Sequence, residues 1–167
     1  PKALAGSIFP FIYNDLEQLA RLIDEENIGI VKMEVQRNRP PKDNFLKDVR
    51  DLCTKHGIVL IFDECTSGFR QNLGGLHLTY NVYPDIAMYG KAMANGHAIC
   101  AVVGREDFMK HANNSFISST FWSERSGYVA ALKTLEVMER IKSYDIISSI
   151  GKKIKKSWLR LASTHNL

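Results

Sequence analysis

The sequence lacks the features that mark membrane proteins, metal proteins and disulfide-rich secreted proteins. No apolar run reaches the roughly 18 residues that a membrane-spanning helix needs. The three cysteines, Cys53, Cys65 and Cys100, form neither a Cys-x-x-Cys pair nor a Cys/His cluster. No secretory signal is visible at the start of the sequence. We therefore expect a cytoplasmic protein without a metal site, in which Cys53 and Cys100 are small core residues.

The sequence also has little excess charge of one sign. It carries 22 basic and 18 acidic residues, a net charge of +4. The most basic run, residues 152–156, overlaps apolar residues at helical spacing at Ile150, Ile154, Trp158 and Leu161. Such a run is typical of the solvated face of an amphipathic helix. Because aromatic residues are not interleaved with the lysines, we expect no nucleic-acid partner, and we expect no membrane partner.

Helix and strand patterns alternate along the first part of the sequence. The apolar spacing predicts a helix capped at Asn14 or Asp15, a strand over 28–35, a second helix from Phe45 that ends near Gly57, and a buried strand over 58–62. A strand, helix and strand in this order predict an α/β fold with a mostly parallel sheet flanked by helices.

The second part predicts shorter elements. Strands are expected over 86–89, 98–103 and 116–120, followed by a long helix from near Ser123 to Ile141. We see no internal repeat, linker or low-complexity segment. With 45% apolar and 24% charged residues, the sequence is that of one globular domain over residues 1–167.

Two acidic residues follow the buried strand. Asp63 and Glu64 stand where open α/β sheets bind ligands, beyond the carboxyl ends of the strands. A buried carboxylate without a partner is costly, so these residues indicate either a site or a structural contact. The structural alternatives are a helix N-cap or a salt bridge to Arg70. A general acid/base pair and a metal site also remain open.

A lysine follows the next short strand. Lys91 comes after Gly90 and is surrounded by small or apolar residues, which are expected to remove water from its amine, lower its pKa and make it nucleophilic toward a carbonyl. Taken alone, the pattern favours an exposed lysine after a turn. Together, Lys91 and Asp63 are the pair that a pyridoxal-phosphate enzyme requires: a Schiff-base lysine and a carboxylate for the ring nitrogen.

An ordered set of short motifs then makes a family recognisable, with a resemblance that covers nearly the whole chain. The sequence closely resembles class III aminotransferases, and within them glutamate-1-semialdehyde aminomutases and related sugar aminotransferases. The motifs are LIFDECTSGFR at 60–70, GG at 74–75, PDI at 84–86, GK at 90–91, AVVG at 101–104 and SSTFWS at 118–123. The resemblance implies the large domain of a fold-type I pyridoxal 5′-phosphate transferase.

The resemblance also implies roles for individual residues. Asp63 would bind the pyridine nitrogen, and Lys91 would form the Schiff base and then move a proton between substrate and cofactor. Thr120 would reach the cofactor phosphate of a neighbouring subunit, which implies a homodimer with a shared active site. Glu34 matches a family glutamate near the site. Cys65 stands where the family has a small aliphatic residue against the cofactor ring, and a thiol can fill that space.

Other parts of the family pattern have no match in the sequence. Family members are more than twice as long, and a phosphate-binding loop, a ring-stacking aromatic residue and a C-terminal small domain are not found here. Val35 and residues 95–97 also depart from the family pattern. We therefore interpret the chain as a partial cofactor-binding large domain, and expect this segment alone to bind the cofactor poorly and to be inactive.

The predicted function is pyridoxal-phosphate-dependent amino transfer between a small-molecule donor and acceptor, on an amino sugar or a small keto or semialdehyde substrate. One alternative is a non-catalytic scaffold or binding domain that keeps the fold. The other is a metal-dependent enzyme that uses Asp63, Glu64 and His77. Since the three have no metal-ligand spacing, His77 is interpreted as a loop or surface residue.

Overall fold

One four-stranded sheet organises the chain. The computed structural model describes residues 2–118, 120 and 123–166. The strands lie side by side in chain order: β1 (Ile30–Glu34), β2 (Val59–Asp63), β3 (Ile86–Tyr89) and β4 (Ala101–Gly104). The first three are parallel, and β4 is antiparallel to β3. This confirms the mostly parallel α/β sheet. β4 reverses because the connection from β3 is too short to contain the helical crossover that a parallel neighbour requires.

Helices α1 (Leu16–Glu25) and α2 (Phe45–His56) precede β1 and β2. Asp15 caps α1, because its Oδ1 accepts a hydrogen bond from the Gln18 backbone N–H at 2.9 Å. Gly57 ends α2 in the left-handed conformation, with φ of 66°. Both predicted helix boundaries are therefore confirmed.

The main core lies between these two helices and one face of the sheet. Successive strand residues alternate between the two faces, so Val31 and Met33 on β1 and Leu60 and Phe62 on β2 are buried. Helix α2 adds Phe45, Leu46, Val49 and the fully buried Cys53 to this cluster. The core position predicted for Cys53 is confirmed. The opposite sheet face carries Lys32, Glu34 and Asp63, which are not buried.

The second part of the chain is mainly helical. It contains α3 (Glu106–Met109), α4 (Arg125–Ile141) and α5 (Ser143–Thr164), and short 3-10 helices cover Leu76–Tyr80, Lys91–Ala94 and Lys110–Asn114. A further 3-10 helix, Lys2–Leu4, precedes α1. The strand predicted over 116–120 is wrong: residues 116–118 have no regular structure and Thr120 lies in a turn, while residue 119 is outside the described residues. Phe116 is 97% exposed, so its apolar side chain packs against no sheet.

Helix α4 packs against the 3-10 helix that begins at Lys91. Met93, Ala94 and Ala131 are buried together, with Ile99 and Tyr89 against them. Packing against α4 therefore holds the turn that carries Lys91 in place. Helix α5 confirms the amphipathic pattern over 150–161, and its lysines are solvated. Among the described residues, no helix has the length and apolarity needed to cross a membrane.

Candidate active site

The two residues singled out from the sequence lie at one edge of the sheet. Asp63 is the last residue of β2, and its partner in the register of β3 is Met88. Lys91 follows three residues later, where β3 has ended. The carboxyl ends of these neighbouring parallel strands therefore bring the acid and the amine to the same end of the sheet, and we call the space beyond the ends of β2 and β3 the crevice. Besides the effect of burial, which raises the pKa of the Cys65 thiol, this thiol is close enough to both groups that the Asp63 carboxylate raises its pKa and the charge of Lys91 lowers it.

Asp63 is held by two contacts. Its Oδ2 accepts a hydrogen bond from Lys32 Nζ at 2.8 Å, and its Oδ1 accepts one from the backbone N–H of Cys65 at 3.2 Å. The hydrogen bond from Lys32 is the largest cause that lowers the pKa of the Asp63 carboxyl from its ordinary value, and the Cys65 contacts add to it against the effect of burial. Asp63 is therefore an ionised acceptor at neutral pH.

Lys91 stands in a conformation that most residues avoid. Its φ is 46°, in the left-handed region, where a side chain other than glycine is uncommon and often marks a functional position. Its Nζ donates a hydrogen bond to Thr66 Oγ1 at 2.7 Å. The side chain is exposed, so the predicted loss of hydration is wrong: the apolar neighbours Met93 and Ala94 pack beneath the turn and leave the amine in solvent.

Two cysteines lie beside Gly90. A β-carbon at Gly90 would stand 3.1 Å from Cys100 Sγ and 3.6 Å from Cys65 Sγ, so a glycine leaves room for both sulfurs. Cys65 is partly buried next to Asp63, and its predicted contact with a cofactor ring stays a prediction. The core position expected for Cys100 is wrong, because its side chain is exposed where the chain enters the edge strand β4.

Glu64 points away from this crevice and is completely buried. Its two oxygens accept hydrogen bonds from Ser67 Oγ at 2.6 Å, Leu76 N at 2.8 Å and His77 N at 2.9 Å, and one contacts His77 Nδ1 at 2.7 Å. Although burial raises the pKa of the Glu64 carboxyl, these hydrogen bonds lower it by more. Glu64 therefore closes the loop that carries Cys65 and Thr66.

These contacts bear on three interpretations drawn from the sequence. Glu64 does not pair with Arg70, whose Nε donates instead to the Thr66 carbonyl at 2.7 Å. His77 is not a surface residue, since it is 6% exposed and contacts Glu64. Within the described part of the chain, no three His, Cys, Asp or Glu side chains are placed to hold a metal ion, and Asp63 faces away from Glu64 toward Lys32.

The Glu64 cluster gives a prediction for stability. Replacing Glu64 with leucine leaves the buried N–H groups of Leu76 and His77 without acceptors, which is expected to reduce the free energy of unfolding by roughly 3–5 kcal/mol. Urea denaturation of this chain measures the loss. Glu136→Leu is the control: Glu136 is exposed and pairs only with Lys133 on α4, so its change is expected to stay within about 0.5 kcal/mol. Equal effects of the two substitutions would contradict this role of Glu64.

The two remaining residues, Glu34 and Thr120, differ in their relation to Asp63 and Lys91. Glu34 pairs in register with Asp63, and its Oε1 contacts Arg37 Nη1 at 3.3 Å. Its Oε2 is buried and has no hydrogen-bond partner among the described residues. Thr120 is exposed in its turn, and no described contact joins it to Asp63 or Lys91.

Sequence reasoning missed two residues that touch the site, Lys32 and Thr66. Lys32 could have been noticed as a charged residue in a strand, two positions before Glu34 and therefore on the same face. Thr66 had no such signal, because its contact with Lys91 depends on the path of the loop that Glu64 closes.

The crevice fits a carbonyl cofactor that has an aromatic nitrogen. An exposed amine is available on Lys91, an ionised carboxylate on Asp63, and an unpaired buried oxygen on Glu34. A carboxylate offers about four acceptor positions, and the described contacts of Asp63 use two of them. Together with the α/β sheet, these features define the class of enzymes that hold pyridoxal phosphate through a lysine.

Comparison with known proteins gives the family. Residues 12–167 match the family model described as "Aminotransferase class-III". The chain belongs to this family, as its motifs indicated, and pyridoxal 5′-phosphate is the family's cofactor.

Individual relatives agree with this assignment. A 3-aminobutyryl-CoA aminotransferase of Cloacimonas acidaminovorans is 41% identical over 165 residues, which cover 92% of this chain and 39% of that protein. A glutamate-1-semialdehyde 2,1-aminomutase of Sulfolobus acidocaldarius is 36% identical over 154 residues, which cover 87% of this chain and 36% of that protein. The chain thus spans less than half the length of these relatives.

A solved structure shows the same fold. The ornithine aminotransferase from Plasmodium yoelii superposes with a TM-score of 0.82 at 25% identity, over 92% of this chain and 42% of that one. The predicted fold class, part of a fold-type I large domain, is therefore confirmed.

Proposed function

We propose that the protein transfers amino groups between small molecules with pyridoxal 5′-phosphate, held through Lys91 and Asp63. The observation that carries this proposal is the register of β2 and β3, which pairs Asp63 with Met88 and so puts the carboxylate and the Lys91 amine at one edge of the sheet. Family membership supports the reaction class.

Each of the two residues has a separate task. Pyridoxal phosphate, when bound, supplies an electron-withdrawing ring that accepts the electron pair left when a substrate C–H bond breaks. Asp63, ionised because of its lowered pKa, would accept a hydrogen bond from the ring nitrogen and favour a proton on that atom. Lys91 would hold the cofactor covalently through Nζ, and its amine, when free, would move the proton of the substrate carbon.

Three further residues support these tasks. Thr66 holds the Lys91 amine through its hydroxyl oxygen, which fixes the direction from which the amine acts. Cys65, partly buried beside Asp63, would fill the space against the ring. Glu34 presents its unpaired Oε2 near Asp63, and this oxygen is suited to accept a hydrogen bond from cofactor or substrate.

Removing the Thr66 hydroxyl tests its task. Thr66→Val in the full-length protein is expected to slow the proton-transfer step roughly 10-fold, corresponding to about 1.4 kcal/mol, because the amine loses its fixed acceptor. Thr66→Ser keeps the hydroxyl and should keep most of the rate. The measurement is the substrate deuterium isotope effect together with kcat. The assigned task fails if valine and serine give the same rate, or if Thr54→Val on helix α2 lowers the rate as much.

Three classes of amino donor are candidates for the substrate. Two relatives are named for their substrates, 3-aminobutyryl-CoA, a β-amino acyl thioester, and glutamate-1-semialdehyde, an amino semialdehyde. An amino sugar, expected from the resemblance to sugar aminotransferases, is the third candidate. A screen with these three classes of amine, in the presence of a keto acid acceptor, identifies the donor by cofactor-dependent loss of the amine.

The same screen separates an enzyme from a non-catalytic scaffold with this fold. A scaffold would leave all three amines unchanged, even with added pyridoxal phosphate. Cofactor-dependent amino transfer is the expected result, and its absence from the full-length protein with each donor class would reject the proposal.

The neighbouring subunit belongs to the proposal as well. We expect a homodimer in which Thr120 binds the cofactor phosphate of the partner's site, a role that the family resemblance implies and that the exposure of Thr120 permits. Mixing a Thr120→Ala protein with a Lys91→Ala protein should then restore activity in part. A cytoplasmic location, predicted from the sequence, stays a prediction.

A further inference from the structure

Lys32 is a charged residue in the middle of β1 whose contact with the site has no assigned role. Its side chain lies on the same sheet face as Glu34 and Asp63, since β1 pairs Glu34 with Asp63 in register. Lys32 reaches diagonally toward the strand ends and places Nζ 2.8 Å from Asp63 Oδ2. Among the described residues, the Asp63 carboxylate is contacted by two side chains, Lys32 and Cys65, and Lys32 is the one that carries a positive charge.

We propose that Lys32 is a positioning residue of the reaction, which orients the Asp63 carboxylate and weakens its hold on the proton of the cofactor's ring nitrogen. This inference rests on the proposed function and adds a second cation to the partners of Asp63. A ring nitrogen that binds Asp63 would then share the carboxylate with a lysine that belongs to the chain itself.

Orientation is the first part of the argument. A carboxylate rotates readily about its last bond unless its oxygens are held. Oδ1 has a backbone contact of 3.2 Å, which is at the long end for a hydrogen bond, whereas the Lys32 contact of 2.8 Å is short and charge-assisted. Lys32 therefore contributes most to the plane of the carboxylate, and that plane decides which acceptor positions face a ring.

Charge is the second part. A cation at hydrogen-bond distance stabilises the ionised carboxylate, and lowers its affinity for any further proton. The other ionisable groups near this pair are Glu34 from β1 and Cys65 from the loop after β2, and both act on the Lys32 amine in the same direction as Asp63. On β1 the charge of Glu34 is in turn shared with Arg37. Lys32 is thus the cation that bears directly on Asp63.

A purely structural role of Lys32 would require that its ion pair with Asp63 contribute to the free energy of unfolding, and the exposure of Lys32 argues against this. The Lys32 side chain is 52% exposed, and ion pairs at such positions contribute little to folding. Removing the ammonium should therefore leave the free energy of unfolding nearly unchanged. Its effect should appear in the properties of Asp63 and of the ring nitrogen.

The test compares Lys32→Met and Lys32→Arg with the natural protein. In this chain, nuclear magnetic resonance follows the titration of the Asp63 carboxyl. We expect the pKa of Asp63 to rise toward its ordinary value with methionine and to stay low with arginine. Lys47→Met is the matched control: Lys47 pairs with Asp51 on helix α2, away from the crevice, and its loss should not move Asp63. An unchanged Asp63 titration in Lys32→Met would overturn the inference.

The second measurement uses full-length protein loaded with nitrogen-15-labelled pyridoxal phosphate. The nitrogen chemical shift should move further toward the protonated ring in Lys32→Met than in the natural protein or in Lys32→Arg. If Asp63 titrates differently but the ring signal does not move, Lys32 does not act on the cofactor and the inference fails. If the natural protein itself takes up no cofactor, the proposed function fails. That result is seen without any variant, so it is distinguishable from a failure of the inference about Lys32.

Discussion

Lys91→Ala is expected to abolish covalent attachment of pyridoxal phosphate and to lower amino transfer by at least roughly 10²–10⁴-fold, the usual contribution of a positioned acid or base. The loss should be larger than for any other lysine of the chain, because the variant loses both the nucleophile that holds the cofactor and the amine that moves the proton. The absorption spectrum of the loaded full-length protein and the rate of a single turnover measure the two losses separately.

The design of controls for Lys91 follows from its surroundings. Lys91→Arg keeps a positive charge beside Thr66 but cannot attack a carbonyl, since a guanidinium stays protonated. The Lys91→Arg protein should be as inactive as the Lys91→Ala protein, and that result would show that the reaction requires a nucleophilic amine and not only a positive charge. Lys153→Ala, on the solvated face of α5, should keep full activity. Substantial amino transfer by Lys91→Ala would show that another amine carries the reaction.

Asp63→Asn is the second large effect. The amide keeps the size of the side chain but carries no charge, so it does not hold a proton on the ring nitrogen. We expect the cofactor to remain bound through Lys91 and amino transfer to fall roughly 10²–10³-fold, the size of effect seen when a positioned electrostatic contact is removed. The measurement is kcat of the full-length protein, with cofactor content determined by absorbance.

A matched control exists on helix α2. Asp51 is exposed and pairs with Lys47, so Asp51→Asn makes the same chemical change away from the crevice and should leave kcat unchanged. Asp63→Asn also removes the partner of Lys32, so the double variant Lys32→Met/Asp63→Asn should be no worse than Asp63→Asn alone. Near-normal activity of Asp63→Asn would contradict the assigned role of the carboxylate.

The part of the fold that the sequence predicts well is the part with periodic apolar residues. The βαβ unit from Ile30 to Asp63 follows from strand and helix periods and from the cap at Asp15 and the turn at Gly57. The strand predicted over 116–120 is wrong because a few apolar residues form a strand only where a neighbouring strand is available for backbone hydrogen bonds, and the local sequence does not show this. The antiparallel direction of β4 also has no local signal, since it is set by the connection from β3.

The site divides in the same way. Asp63 and Lys91 are recognisable because each follows a strand, and parallel strands bring their ends together. The predicted loss of hydration at the Lys91 amine was wrong because residues that are apolar and nearby in sequence, such as Met93, pack under the turn rather than around the side chain. The burial of His77 was missed because its partner Glu64 lies 13 positions away, in a contact that only the folded loop creates.

The most direct test of the account is chemical. Full-length protein is incubated with pyridoxal phosphate, reduced with borohydride and digested, and the peptides are analysed by mass spectrometry. The account predicts that the yellow colour is bleached and that the added pyridoxyl mass lies on Lys91. Finding that mass on a different lysine, or on none, would contradict it.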